Sequence, residues 1–248
     1  MTRRRALLLS LPLTAILALA GFQAAKKPAV MEDPLIAGFR KTTVASVADA
    51  VDQVCGKRGF LSHKIRPVVP GIVVGRAITA LVKPAPPEKA TPQLAVKHST
   101  EMIDNSKPGE VGVIVMEDGL DVAAIGGLMA TAAKARGMAG MILDGGMRDV
   151  QEIRALGLPV YAASVSPATA VGRYASVAAN IPVQCGGVTI HPGDIIVANE
   201  DGIVAVPKDK AQDVLKRALE IDERENKMVP MIKKEKSLSK VIAIFNRI

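Results

Sequence analysis

Residues 140–149 have the sequence GMILDGGMRD, an apolar run that ends in two glycines, an arginine and an aspartate. The apolar part, Gly140 to Leu143, predicts a buried strand, and Val150 to Ala155 predicts a helix. The next apolar segment, Pro159 to Ala163, predicts another strand. Strand, helix and strand in this order are typical of the parallel strands of an α/β fold.

The same alternation extends toward the N-terminus. Gly126 to Arg136 predicts a helix of small residues, and Val111 to Met116 predicts the short apolar strand before it. Gly71 to Lys83 is rich in β-branched residues and predicts a longer strand. Leu35 to Cys55 carries apolar residues at helical spacing.

The pattern changes after Pro182. Residues 183–206 predict three short strands separated by Gly-, Pro- and Asp-containing turns, and strands so close in sequence usually pair antiparallel. Lys208 to Lys227 predicts an amphipathic helix. We therefore expect an α/β protein with a mixed sheet.

The first residues predict a targeting segment. A basic start, Met1 to Arg5, precedes an apolar run, Ala6 to Ala20, that ends in the small residues of a cleavage site. This order is typical of a secretory signal peptide, and the run is too short for an ordinary membrane span. We expect residues 1–25 to be removed and the protein to be exported, periplasmic or secreted, with no membrane span after processing. An uncleaved anchor is the alternative.

Residues 26–34 have the composition of a linker, residues 35–227 form the expected domain, and residues 228–248 form a basic helical tail. The net charge of +8 is concentrated at the two ends, because residues 26–207 hold 18 basic and 17 acidic side chains. A nucleic-acid groove needs positive charge on the folded body and, for single strands, aromatic platforms. With aromatic residues at only 2% of the chain, we expect no nucleic-acid partner.

Two elements can carry chemistry. Gly126-Gly127-Leu128-Met129 begins a helix, where free amides bind anions and glycine allows close approach. Arg148 can hold a carboxylate, and Asp149 can hold a hard divalent cation. Taken alone, each element has a purely structural alternative. The glycines at 126 and 127 could form a tight packing turn. Arg148 and Asp149 could form a surface ion pair in which Asp149 caps the following helix.

Histidine and cysteine restrict the other possibilities. The three histidines are widely separated in sequence, which argues against a His-based zinc site. Export would permit a disulfide between Cys55 and Cys185, but two buried thiols that never meet are the favoured interpretation.

In combination, these segments resemble the RraA-like family, which includes class II 4-hydroxy-4-methyl-2-oxoglutarate aldolases, oxaloacetate decarboxylases and regulators of ribonuclease E. Members have often been labelled dimethylmenaquinone methyltransferases. The resemblance covers roughly residues 35–225. The matching segments are VADAVD at 47–52, IRPVVPG at 65–71, GGLMATAAKARG at 126–137, DGGMRD at 144–149, GLPVYA at 157–162, PVQCGGVTIHPGD at 182–194 and NEDGIVAVP at 199–207.

The resemblance implies a layered α/β/β sandwich like the swivelling phosphohistidine domain, assembled as a homotrimer or dimer of trimers with sites between subunits. It implies that Gly126, Gly127, Leu128, Met129 and Arg148 bind the pyruvyl part of a small 2-oxo acid. Asp149 would be the ligand of Mg²⁺ or Mn²⁺, and Arg148 and Asp149 would be the catalytic residues.

One position departs from the family pattern. Aldolases of the family usually carry an acidic residue where this chain has Gly127, so another acidic group, such as Glu200 or Asp201 of a neighbouring subunit, would have to replace it. Ribonuclease regulators often lose the aspartate that this chain keeps as Asp149. The resemblance thus predicts a divalent-metal-dependent lyase, with a non-catalytic binding or regulatory trimer as the alternative.

Overall fold

The structure is a computed structural model that describes residues 33–245; the predicted signal peptide and most of the linker lie outside these residues. The helices of this part are α1 (Pro34–Phe39), α2 (Val44–Cys55), α3 (Pro92–Asp104), α4 (Gly127–Ala135), α5 (Val150–Leu156), α6 (Ala211–Glu235) and α7 (Leu238–Phe245). The strands are β1 (Arg66–Val69), β2 (Val73–Pro84), β3 (Val111–Met116), β4 (Ala123–Ile125), β5 (Gly140–Met147), β6 (Val160–Val165), β7 (Tyr174–Ala179), β8 (Val183–Cys185), β9 (Val188–Ile190), β10 (Ile195–Asn199) and β11 (Gly202–Val206).

The large sheet is mixed, as expected. Its main path is β1-β6-β5-β3-β2-β10-β11, with β4 added beside β5 and β7 beside β2. The pairs β2–β3, β3–β5, β4–β5 and β5–β6 are parallel. The pairs at the two ends, β1–β6 and β10–β11, are antiparallel. The expected α/β class with a mixed sheet is confirmed.

Alternate side chains of the central strands serve two different cores. In β3, Ile114 packs with α3, α4 and α5 side chains such as Met102, Ala130 and Ile153. Its neighbour Val113 points to the opposite face and packs against the β8–β9 hairpin. One face of the sheet is therefore covered by helices and the other by strands, which is the layering that the family resemblance implies.

A third core covers the β2–β10–β11 end of the sheet with α1, α2 and α6. The apolar stretch from Leu35 to Cys55 forms two helices, because Thr43 caps the start of α2 by accepting a hydrogen bond from the Ser46 amide. Helix α6 begins at Ala211 and continues past Lys227 to Glu235. Among the described residues, no helix is both long and apolar enough to cross a membrane.

Candidate active site

The ends of β4 and β5 bring the two predicted elements together. β5 does not stop at Leu143 but continues through Asp144, Gly145 and Gly146 to Met147. The Arg148 amide then donates to the Ile125 carbonyl at 3.1 Å, which joins the end of β5 to the end of β4. Because the two strands are parallel, the residues that follow them meet at the same edge of the sheet.

Asp149 links the two elements directly. Its backbone lies in the left-handed region, with φ 57° and ψ 41°, and its side chain makes no capping hydrogen bond to its own helix, α5. Its Oδ2 instead accepts from the Gly127 amide at 2.8 Å, at the start of α4. The alternative in which Asp149 caps the helix that follows it is therefore wrong: the carboxylate caps the neighbouring helix, across a separation of 22 residues.

Arg148 and Asp149 place opposite charges side by side at this edge. Arg148 Nε lies 3.6 Å from Asp149 Oδ2, and the two side chains are 42% and 40% exposed. Exposed ion pairs contribute little to stability. Both groups consequently remain available to a ligand arriving from solvent.

The space around Gly126 is too small for a side chain unless Asp149 moves. A Cβ at this position would lie 2.5 Å from Asp149 Oδ2, which forces that carboxylate to move, and 3.0 Å from Arg148 Nε, a tight contact. At Gly127 the nearest atoms to a Cβ would be 3.6 Å away, which is ordinary contact. Only the first glycine of the pair is therefore demanded by the packing of the site.

The first turn of α4 provides the other donors. Amides in the first turn of a helix have no acceptor within the helix. Asp149 uses that of Gly127, and those of Leu128 and Met129 belong to the same turn. The Leu128 side chain is 90% exposed at this helix start. The sequence-predicted residues 126–129 thus lie together with Arg148 and Asp149.

Glu152 is a site neighbour that the sequence reasoning missed. Its Cβ would lie 3.7 Å from a Cβ at Gly127, and it sits one turn after Asp149 on the exposed face of α5. The signal was present, since carboxylates three residues apart on a helix are neighbours. Glu200 and Asp201, the acidic groups that were assigned from the sequence to a neighbouring subunit, lie in the β10–β11 turn.

The cavity beneath Gly126 and Arg148 is small, about 50 Å³. Parts of α3 and β4, together with Met129, Thr169 and Ala170, form the rest of its wall. Small-molecule sites usually enclose a few hundred Å³. One chain by itself therefore encloses little of a 2-oxo acid at this position.

The oxygen ligands available at this site suit only a cation that keeps most of its bound water. Within residues 33–245 there is no group of three or more His, Cys, Asp and Glu side chains able to hold a metal. Asp149 keeps one carboxylate oxygen besides the one bonded to Gly127. Mg²⁺ is often held by one or two carboxylates, with water and substrate filling the remaining positions. Asp149, with Glu152 nearby, fits that mode and does not fit a cage built only from protein ligands.

The two cysteines do not compete as a reactive centre. Cys55, at the end of α2, and Cys185, in β8, are both free. Burial, and secondarily the Asp144 charge, raises the pKa of Cys185 well above its ordinary value. Cys185 is therefore a protonated core side chain.

The fold and site together define an α/β protein in which a glycine-rich helix start lies beside an Arg–Asp pair. The family profile described as RraA-like, Aldolase/RraA, matches residues 44–205. The chain belongs to the RraA-like family.

Individual relatives are moderately similar. A protein of Halalkalibacterium halodurans named "Putative 4-hydroxy-4-methyl-2-oxoglutarate aldolase" is 31% identical over 192 residues, covering 75% of this chain and 83% of the relative. A solved structure of an uncharacterized Pseudomonas syringae protein superposes with a TM-score of 0.76 at 27% identity, covering 85% of this chain and 93% of that one. RraAS2 of Streptomyces coelicolor, described as an unusual member of the RNase ES inhibitor RraA protein family, has a TM-score of 0.68 at 26% identity and covers 79% of this chain and 95% of its own. Aldolase and regulator names thus both occur among similar proteins.

Proposed function

We propose that this protein is a divalent-metal-dependent lyase that cleaves the carbon–carbon bond next to the pyruvyl unit of small 2-oxo acids. The substrates are 4-hydroxy-4-methyl-2-oxoglutarate, oxaloacetate or both. The observation that carries the proposal is the Asp149 carboxylate, which turns away from its own helix to the Gly127 amide and stands 3.6 Å from Arg148. The Arg148 guanidinium, the helix-start amides and the second Asp149 oxygen are close to one another, which supports a site for a metal ion and a 2-oxo acid.

Each residue has a distinct role in the reaction. Arg148 binds the substrate carboxylate, and its fork of N–H donors suits that geometry. The Leu128 and Met129 amides face the negative charge that develops on the keto oxygen as the C3–C4 bond breaks. Mg²⁺ or Mn²⁺, when held by Asp149, supplies Lewis-acid polarisation of the keto group. Gly126 lets the substrate and both charged side chains approach the backbone closely.

The two substrates make different demands on the protein. Loss of carbon dioxide from oxaloacetate requires stabilisation of negative charge but no base. Aldol cleavage also requires removal of the C4 hydroxyl proton. Gly127 cannot help in that step, whereas Glu152, whose Cβ lies 3.7 Å from the Cβ position at Gly127, is the acidic residue beside it other than Asp149. We assign Glu152 to this role, in place of the partner-subunit acids considered from the sequence.

We further propose that the protein acts as an exported homotrimer, or dimer of trimers, with the site between subunits. The small volume enclosed by one chain and the exposed Leu128 support a site that a second subunit completes. Export rests on the first 25 residues of the sequence.

A binding or regulatory protein is the second candidate function. Gly127 favours it, because it removes an acidic group from the aldol site, and so does the description of the Streptomyces coelicolor neighbour. This candidate predicts ligand or partner binding without turnover and without dependence on added metal.

The test is pyruvate release by the chain lacking residues 1–25, with Mg²⁺ or Mn²⁺ and then with chelator. Both substrates are assayed, and the decarboxylation of oxaloacetate by metal alone is subtracted. Arg148→Gln is compared with Arg154→Gln, a matched change on the exposed surface of α5. Metal-dependent release that only Arg148→Gln abolishes supports the lyase. Full activity in chelator contradicts the mechanism, and no release from either substrate favours the binding protein.

A further inference from the structure

A second cavity, of about 440 Å³, lies between the start of α2, the loop before β1 and the β10–β11 hairpin. It shares no lining residue with the cavity beneath Gly126 and Arg148. Its volume is within the range of sites for small organic ligands. Its floor is apolar and buried, formed by Val44, Leu61, Ile65, Ile203 and Val204.

Arg58 is held in position at the rim of this cavity. Its Nε donates to the Phe60 carbonyl at 2.7 Å, and its guanidinium carbon lies 4.5 Å from the centre of the Phe60 ring. Phe60 is fixed in turn by a bridge to Val204, although its side chain is 44% exposed. The guanidinium is therefore already oriented, with its terminal nitrogens left for a further acceptor.

The cavity also has a surplus of positive charge. Arg66 donates to the backbone carbonyl of Glu200 at 3.3 Å, so its partner is neutral. In the described part of the chain, neither Arg58 nor Arg66 forms an ion pair, and Asp201, hydrogen-bonded to Asn199, is the one carboxylate in the lining. The lining therefore carries two positive charges, on Arg58 and Arg66, and one negative charge, on Asp201. One further negative charge from a ligand would balance them.

We propose that this cavity binds a small organic monocarboxylate with an apolar body. Its carboxylate pairs with Arg58 and Arg66, and its body covers Val44, Ile203 and the Phe60 ring. The ligand needs an apolar body because only apolar ligand surface gains binding free energy from contact with the apolar floor. The single unmatched charge favours a monoanion over a phosphate ester. This inference does not depend on the proposed lyase activity.

The probe is 3-phenylpropanoate, which lacks the 2-oxo group needed at the Arg148 site, titrated into the purified protein by calorimetry. Charge-assisted hydrogen bonds typically contribute enough that Arg58→Gln should weaken binding about tenfold or more. Phe60→Ala should weaken it as well. Arg136→Gln is the matched control, because Arg136 also donates to a backbone carbonyl, that of Ser106, but lies outside the cavity.

Saturable binding that Arg58→Gln and Phe60→Ala weaken, and that Arg136→Gln and Arg148→Gln leave unchanged, supports the site. Equal affinity for the neutral 3-phenylpropanamide overturns the assignment of a carboxylate. Binding lost in Arg148→Gln places the probe in the other site and overturns the proposal, as does the absence of saturable binding at millimolar probe. Thermal unfolding of each variant separates loss of binding from loss of fold.

Discussion

Gly126 lies between two charged side chains, and the space around it leads to a sharp prediction. In Gly126→Ala the new methyl group would displace Asp149 Oδ2, which lies 2.5 Å from the Cβ position. Displacing a catalytic group by about 1 Å can cost roughly 100-fold in rate. We therefore expect Gly126→Ala to lower kcat/KM for pyruvate release by about that factor.

Gly127→Ala is the matched control, because its methyl group would meet no atom closer than 3.6 Å. It should keep most of the activity, and both variants should unfold at similar temperatures. Equal loss of activity in the two variants would contradict this account of the site.

His98 is a buried titratable group whose protonation is linked to folding. It is fully buried on α3, and neither ring nitrogen makes a hydrogen bond of normal geometry, although backbone groups of Ala95 and Ala124 lie close to the ring. Burial lowers the pKa of His98 from 6.5 to about 4, while backbone groups of Ala124 and Ala95 act in the opposite direction without offsetting it. The folded protein therefore holds this imidazole neutral at every pH above about 4.

This gives a pH dependence of defined sign. As the pH falls from about 6.5 to about 4, the unfolded chain binds a proton that the folded chain does not, so the free energy of unfolding decreases. The contribution is about 3 kcal/mol and levels off below the folded pKa. When the free energy of unfolding is measured with urea at pH 7 and at pH 4, it should decrease less in His98→Phe than in the unsubstituted protein. His63 is exposed, so His63→Phe should lose as much stability between pH 7 and pH 4 as the unsubstituted protein. The same loss in His98→Phe would refute the assignment to His98.

At the scale of elements, helix α6 is attached to the start of α2 through one carboxylate. Asp222 accepts hydrogen bonds from the Thr43 amide at 3.2 Å, the Thr43 hydroxyl at 3.0 Å and the Ser46 hydroxyl at 2.7 Å. Ser46 is buried, so removing its acceptor leaves a costly unsatisfied hydroxyl.

We expect Asp222→Ala to lower the free energy of unfolding by about 1–3 kcal/mol, measured by urea denaturation. Glu225 is an exposed carboxylate on the same helix, so Glu225→Ala should change the free energy of unfolding by less than about 0.5 kcal/mol. Similar effects of the two substitutions would show that the contact with α2 contributes nothing specific.

At the scale of the whole molecule, three exposed apolar side chains lie on segments near the site. Leu128 is 90% exposed, Val165 56% and Leu120 55%, and Val165 pairs with Met147 next to Arg148. Large exposed apolar surfaces mark interfaces, and these three side chains are the basis of the interface proposed here. The proposed trimer would cover them and enclose the site.

Light scattering of the processed protein should therefore give the mass of a trimer or hexamer. Leu128→Glu should dissociate the assembly and reduce pyruvate release by at least about tenfold, as a charge in a buried interface costs several kcal/mol. Leu219→Glu, at an exposed position on α6, is the control and should leave both unchanged. A monomeric mass for the unsubstituted protein would contradict the proposed assembly.

The sequence alone determined the elements whose pattern is local and strong. Val111–Met116 forms a strand within its predicted bounds, because six consecutive apolar residues suit a strand buried on both faces. The small-residue helix runs from Gly127 to Ala135, inside the predicted range 126–136, because helix ends depend on nearby residues. Arg148, Asp149 and residues 126–129 could be named as site candidates, since their chemistry is visible in the residue types.

Contacts between groups that are distant in the sequence became visible in the folded chain alone. The sequence predicts that the strand ends at Leu143, but the glycines continue it, because Gly146 pairs with Ala123 of β4 and Ser164 of β6. A Cβ at Gly146 would meet the Val122 carbonyl, so only glycine fits there. Likewise, Asp149 directly precedes α5, yet its carboxylate caps α4. The parallel pairing of β4 and β5 brings the Gly127 amide to it, and pairing between segments so far apart in sequence depends on packing that no local pattern encodes.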